Sequence, residues 1–169
     1  MLKISRKIYF LVGLTLCVSL NVCGQTVTSI RDGLWDDPTI WSSGIIPTAD
    51  NASKTIVDHG VVIPTAGLVE IERLVINGSL TVASAATLTI IPDALPGSWD
   101  MEVNGTFIME DGSILNGTST VNTYFNSESR YVHRQGPLGF IPYATWHTNS
   151  TFEIAGFRTQ GYINIAHSD

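Results

Sequence analysis

The chain has 169 residues, 44% of them hydrophobic and only 14% charged, which is one domain's length with enough apolar material for a packed core and excludes a globally disordered chain. So few charges also argue against coiled coils and helical bundles, whose surfaces are built from Glu, Lys and Arg, and leave surface polarity to Ser, Thr and Asn. Nine basic residues against fifteen acidic ones give a net charge of −6, which argues against a nucleic-acid partner held through its phosphates.

Lys3, Arg6 and Lys7 precede the apolar run Ile8 to Leu20, and Val22-Cys23-Gly24 stands before Gln25. This is the layout of a secretory signal peptide over residues 1–24, cleaved before Gln25. The run from Ile8 to Leu20 is short for a bilayer span, so membrane contact is expected only during export. The alternatives are a lipoprotein signal modified at Cys23, which Leu20-Asn21-Val22 fits poorly, and an uncleaved anchor. Cleavage removes three of the nine basic residues, leaving six against fifteen acids, a balance of −9 with Lys54 the one lysine. It also removes both cysteines, Cys17 and Cys23, so the mature chain is expected to lack disulfides, thiol nucleophiles and Cys-ligated zinc.

After Gln25 the apolar residues alternate in short groups: Val61 and Ile63, Val69 and Ile71, Leu74 and Ile76, Leu80 and Val82, Leu88 and Ile90. Period-two alternation broken by Asn-Gly and Asp-Gly predicts many short strands and an all-β fold. One helical turn is expected between Asp36 and Ser42, where Asp37-Pro38 opens it. Ile76-Asn77-Gly78-Ser79-Leu80-Thr81-Val82 then recurs as Val103-Asn104-Gly105-Thr106-Phe107-Ile108-Met109. Val57-Asp58-His59-Gly60-Val61-Val62-Ile63 is a weaker earlier copy, read with its Gly60 set against Gly78. Such repeats of short strands predict a right-handed parallel β-helix, each coil burying its face on the next. Ile76 is expected over Val103, and Leu80 over Phe107, on inward faces. The Asn-Gly pairs are read as corners where glycine supplies a positive φ. A β-sandwich with hairpins at the same Asn-Gly turns is the alternative. The expected layout is an N-terminal cap and first strand over residues 25–60, then coils over 61–169, incomplete at the C-terminal end.

Trp35-Asp36-Asp37-Pro38-Thr39-Ile40-Trp41-Ser42-Ser43-Gly44 leads to Ile46-Pro47, Asp50, the strand Thr55 to Asp58 and later the strand Leu74 to Val82. Two spaced tryptophans, a Gly-x-x-Pro step and an Ile-Asn-Gly-Ser-Leu strand resemble the opening of the eight-glycine domain and related β-helix proteins secreted by Bacteroidota. The resemblance runs from Gly33 to Leu115. Tyr131 to Gly156, with Pro142-x-x-Thr145-Trp146, resembles the continuation of such surface proteins. The resemblance implies an extracellular parallel β-helix and no single chemistry. Long relatives continue into further domains and a C-terminal sorting domain for type IX secretion. This chain ends at Asp169, which reads as the N-terminal portion of a larger architecture, a short paralogue or a truncated frame. The expected destination is the periplasm, the cell surface or the medium.

Candidate chemistry is sparse. Asp36 and Asp37 are a carboxylate pair of the kind hydrolases use, but neighbours on an extended chain diverge, so a turn role is favoured. Asp58-His59-Gly60 only superficially resembles the Gly-His-Gly of β-helical pectin hydrolases, and the partner Asp pair and Arg-x-Lys of that family are absent. His59, His133, His147 and His167 have no ligand spacing, and no metal site or cofactor is expected from them. Calcium is the one ion the acidic chain leaves open, with Glu110-Asp111-Gly112 the first place to look and a tight turn explaining it equally. Gly136 and Gly139 follow no strand-to-helix pattern and carry no phosphate reading. Asn51, Asn77, Asn104, Asn116 and Asn149 each open an Asn-x-Ser/Thr triplet and are read as turn and ladder residues. Trp35 and Trp41 are expected to pin the cap. Trp99, after Pro96-Gly97-Ser98 in a loop between repeat copies, is the expected exposed ring and the one binding residue proposed, as flat aromatic faces suit the apolar side of a sugar. The expected function is a non-catalytic extracellular module for adhesion, glycan binding or display, with polysaccharide or cell-surface partners. The alternatives are a polysaccharide lyase or hydrolase, or its remnant, and a fragment with no independent role.

Overall fold

A computed structural model of the chain describes residues 24–92, 98–116, 121–134 and 141–155. The signal segment with Cys17 and Cys23, Pro96-Gly97, Gly136, Gly139 and His167 lie outside the described residues. The strands, in chain order, are β1 Thr26–Thr28, β2 Gly33–Leu34, β3 Lys54–Val57, β4 Gly60–Ile63, β5 Leu68–Ile71, β6 Leu74–Ile76, β7 Ser79–Val82, β8 Thr87–Ile90, β9 Met101–Val103, β10 Thr106–Met109, β11 Ile114–Asn116, β12 Thr123–Phe125, β13 Arg130–His133, β14 Thr145–Trp146 and β15 Thr151–Ile154. The one helical element among the described residues is the 3-10 turn Pro38–Ile40, inside the stretch where a turn is expected.

The fold is all-β, and its strands form three parallel sheets. The first sheet runs β1-β3-β6-β9-β12-β14, the second β2-β4-β7-β10-β13-β15 and the third β5-β8-β11. The chain visits them in a fixed order, so each strand pairs with its counterpart one circuit away. This order is consistent with a β-solenoid and excludes hairpin pairing of the repeat copies. Ile76 pairs with Val103 and Leu80 with Phe107, all in parallel and all fully buried, as the repeat predicts. The alternating sequence explains the burial: in β3, β4, β7, β8 and β10 the second and fourth residues are inward and the others half-exposed.

The core is a set of single-file stacks of side chains. Val57, Ile76, Val103 and Phe125 form one along the first sheet, and Val61, Leu80, Phe107 and Tyr131 another along the second. Burying each such side chain is worth about 1.5–3 kcal/mol. Toward the later strands the files turn aromatic: Phe125 stacks on Trp146 at 4.0 Å and Tyr131 on Phe152 at 5.5 Å. Thr55, inward and fully buried, is an exception whose hydroxyl has no partner.

The circuits differ in length, and this difference places the candidate site. Along the first sheet Thr55 pairs with Leu74 and Leu74 with Met101, so the second of these circuits takes more chain than the first. The third sheet shows the same unequal steps, from Val69 to Leu88 and from Leu88 to Leu115. The extra residues fall between β8 and β9, where the chain returns from the third sheet to the first.

The register corrects two sequence readings. Gly60 of the early copy does not stack on Gly78: Val57 pairs with Ile76 and Gly60 with Ser79, so His59 stands at the Gly78 position. The Asn-Gly corners are also not left-handed. Among the described residues, positive φ occurs at Gly24, Gly44, Ala66, Ala85, Gly112 and Glu128, and Gly78 and Gly105 have ordinary values. Glycine is required there by close approach. A Cβ on Gly78 would lie 2.6 Å from the carbonyl oxygen of His59, and one on Gly105 would overlap the carbonyl oxygens of Gly78 and Asn77. His59 is accommodated because no Asn-Gly corner lies beneath it, and its Nδ1 sits 2.9 Å from the carbonyl oxygen of Ser29.

Residues 29–53 close over the first strands. Trp35 and Trp41 are buried edge to face at 4.8 Å, and the Trp41 indole N–H donates to the Trp35 carbonyl at 2.9 Å. Asp37 caps the 3-10 turn by accepting from Thr39 N. Ala49 N donates to Glu70 O, covering the edge of β5.

Candidate functional site

Trp99 is the outward tryptophan of the described fold. It lies between β8 and β9 and is half-buried, stacked on Tyr124 with ring centroids 4.7 Å apart and planes 13° from parallel. Its stem is fixed by the next residue: Asp100 is 2% exposed, its carboxylate accepts from Asn122 N at 2.7 Å and its carbonyl accepts from Leu74 N. Tyr124 faces outward because Thr123 and Phe125, on either side in β12, are buried inward. The ring pair is therefore held between β12 and the loop residues that lead into β9, as the sequence placed Trp99.

Beside it lies a polar row. Glu102 of β9 pairs in register with Tyr124, and its carboxylate accepts from Asn126 Nδ2 at 2.8 Å. Asn126 also donates to Asn104 Oδ1 at 2.5 Å, Asn104 to Asn77 Oδ1 at 2.8 Å, and Asn77 to Asp58 Oδ1 at 2.7 Å. The corner between first and second sheets thus carries an amide ladder that begins and ends at a carboxylate. It presents neutral hydrogen-bonding groups with one flat aromatic pair at its side, a chemistry suited to hydroxyl-rich ligands.

The remaining sequence candidates do not converge. Trp35 and Trp41 are core residues, and Trp146 stacks inward on Phe125. Asp36 is exposed, while Asp37 is tied to the hydroxyl and backbone N–H of Thr39; those bonds, with Arg31 near by, hold its carboxyl below the usual range. His133 is buried against the Tyr131 hydroxyl, its Nδ1 3.0 Å away, and burial pushes the imidazole down and the Tyr131 phenol up. His147 accepts from Asn149 N within a turn. Glu110 pairs with Arg134 at 2.9 Å, and Asp111-Gly112 forms the tight turn, with Gly112 at φ +72°. Among the described residues no three His, Cys, Asp or Glu side chains gather as a metal set.

Sequence reasoning singled out Trp99 for binding, read Asn77 and Asn104 as turn and ladder residues, and passed over Tyr124, Glu102 and Asn126. Their signal is the alignment of Phe125-Asn126 on Val103-Asn104, which a change of circuit length and the loss of the following glycine conceal. No family model, curated protein or solved structure matches the chain.

Proposed function

We propose that this chain is an extracellular, non-catalytic module, a right-handed parallel β-helix behind a cleaved export signal, that binds polysaccharide on the outer face of its first sheet. Residues 25–60, expected as a cap and first strand, hold three strands, β1 to β3, with the cap between them. The right-handed winding follows from the strong preference of parallel crossovers. The extracellular assignment rests on the leader and on the resemblance to eight-glycine-domain proteins.

The observation that carries the binding reading is the outward Trp99–Tyr124 stack beside Glu102 and the asparagine ladder. One face of Trp99 is taken by Tyr124, so a sugar ring stacks on the other while the ladder amides meet hydroxyls along the corner. One stacked ring and a few neutral hydrogen bonds give a few kcal/mol net, hence affinities of about millimolar to high micromolar. Isothermal titration against a panel of neutral and acidic polysaccharides tests this. Binding to at least one member, lost in Trp99→Ala with the far-ultraviolet spectrum unchanged, is the expected result. No heat with any member, together with unfolding of Trp99→Ala, would make Trp99 a core residue and end the proposal.

A further inference from the structure

The same corners carry a chemical liability that the fold closes off. Asn-Gly is the sequence in which the backbone nitrogen of the second residue most readily reaches the side-chain carbonyl of the first, because glycine brings no side chain into the way. In that reaction the glycine nitrogen bonds to the Asn Cγ, the Cγ–Nδ2 bond breaks, and ammonia leaves with the proton from the glycine N–H. Water then opens the resulting succinimide to aspartate or to isoaspartate, whose main chain runs through the former side chain. We propose that Asn77-Gly78 and Asn104-Gly105 are deamidation sites that the folded chain holds closed, so that opening of a coil is recorded as an irreversible change in backbone chemistry.

Three features block the reaction in the folded chain. The nucleophiles are engaged: Gly78 N–H donates to Val57 O at 2.8 Å and Gly105 N–H to Ile76 O at 2.9 Å, each a carbonyl of the preceding circuit. The electrophiles are engaged too, since Asn77 is held on Asp58, and Asn104 is held between Asn77 and Asn126. Swinging either amide onto the glycine nitrogen breaks the ladder. The glycines are packed on the circuit before them: a Cβ built on Gly78 would meet the backbone of Asp58 and His59, and one on Gly105 that of Asn77 and Gly78, which leaves the corner little room to rearrange.

The product does not fit the place it came from. Isoaspartate adds a main-chain methylene just before a glycine whose Cα has no room for even a side-chain carbon, and so displaces that glycine from its place on the circuit before. A new carboxylate at position 77 meets Asp58 Oδ1, which now accepts from the Asn77 amide at 2.7 Å. A modified chain therefore loses the stacked corner, and the event is one-way.

The test uses the full chain, incubated in mildly alkaline buffer with and without guanidinium, with peptide mapping for the deamidation mass gain and isoaspartyl methyltransferase labelling. In guanidinium both sites react. In the folded protein both are expected to react about 100-fold more slowly, which converts to about 2.7 kcal/mol of local opening at about 1.4 kcal/mol per tenfold. Asp58→Ala, a substitution at an exposed position, is expected to speed Asn77 in the folded protein and leave Asn104 unchanged. After removal of guanidinium, molecules bearing isoaspartate at either site are expected to be missing from the refolded fraction. Equal rates with and without guanidinium, an unchanged Asn77 rate in Asp58→Ala, or isoaspartate-bearing chains that refold with an unaltered Tm would each overturn the proposal. None of these outcomes depends on whether polysaccharide binds.

Discussion

The corner from the first sheet to the second and the corner from the second to the third both use small residues, and for opposite reasons. At the first, Gly78 and Gly105 have ordinary backbone angles but no space, because each lies on the backbone of the circuit before it. At the second, Ala66, Ala85 and Gly112 occupy equivalent places with φ of 58°, 59° and 72°, and the nearest atom to a Cβ built on Gly112 is Ala85 N at 3.8 Å. At Gly78 and Gly105 the first corner is limited by packing between circuits and has no room for a Cβ, whereas in other circuits it carries His59 and, between β12 and β13, Glu128 at φ 65°. The second corner is limited by backbone handedness and already holds two alanines. A glycine in a sequence therefore does not announce which constraint it answers.

Four substitutions sharpen this contrast, each read by urea or thermal denaturation. Gly105→Ala is expected to cost most, about 3 kcal/mol, because its Cβ collides with backbone that cannot yield. Asn104→Ala removes the central rung of the ladder and is expected to cost about 1–2 kcal/mol, as it deletes one donated and one accepted hydrogen bond. Gly112→Ala adopts a conformation its neighbours already hold, so about 1 kcal/mol is expected. Ala85→Gly relieves the same strain but loosens the unfolded chain, and a net change within about 0.5 kcal/mol follows. If Gly112→Ala proved costlier than Gly105→Ala, the assignment of the two constraints would be reversed.

Much of the fold was legible because alternation and repeat are local signals. Inward pairs such as Leu80 and Val82, or Phe107 and Met109, declare their face by period two, and the recurrence of Ile76–Val82 as Val103–Met109 gives the register between them directly. What was not legible depended on neighbours one circuit away. The Asn-Gly corners read as left-handed because the usual reason for glycine in a turn is φ, and the stacked carbonyls beneath them have no signature in sequence. Matching Gly60 to Gly78 misled for the same cause: His59 holds the corner because it has no Asn-Gly step below it. At the candidate site Trp99 was visible as a tryptophan after a Pro-Gly-Ser loop, but its partner Tyr124 lies in a circuit of another length, and only pairing with Glu102 brings the two together.

The central claim is that successive Asn-Gly corners sit directly on one another in parallel register. It is tested by cross-linking. Neighbouring strands lie about 4.8 Å apart, within the span a disulfide bridges. With Cys17 and Cys23 replaced by serine, the pair Asn77→Cys and Asn104→Cys is expected to form an intramolecular disulfide on mild oxidation, whereas Asn77→Cys with Asn116→Cys, whose second residue lies on the third sheet, stays reduced. Failure of the first pair to close while the second pair closes would contradict the stacked-corner account.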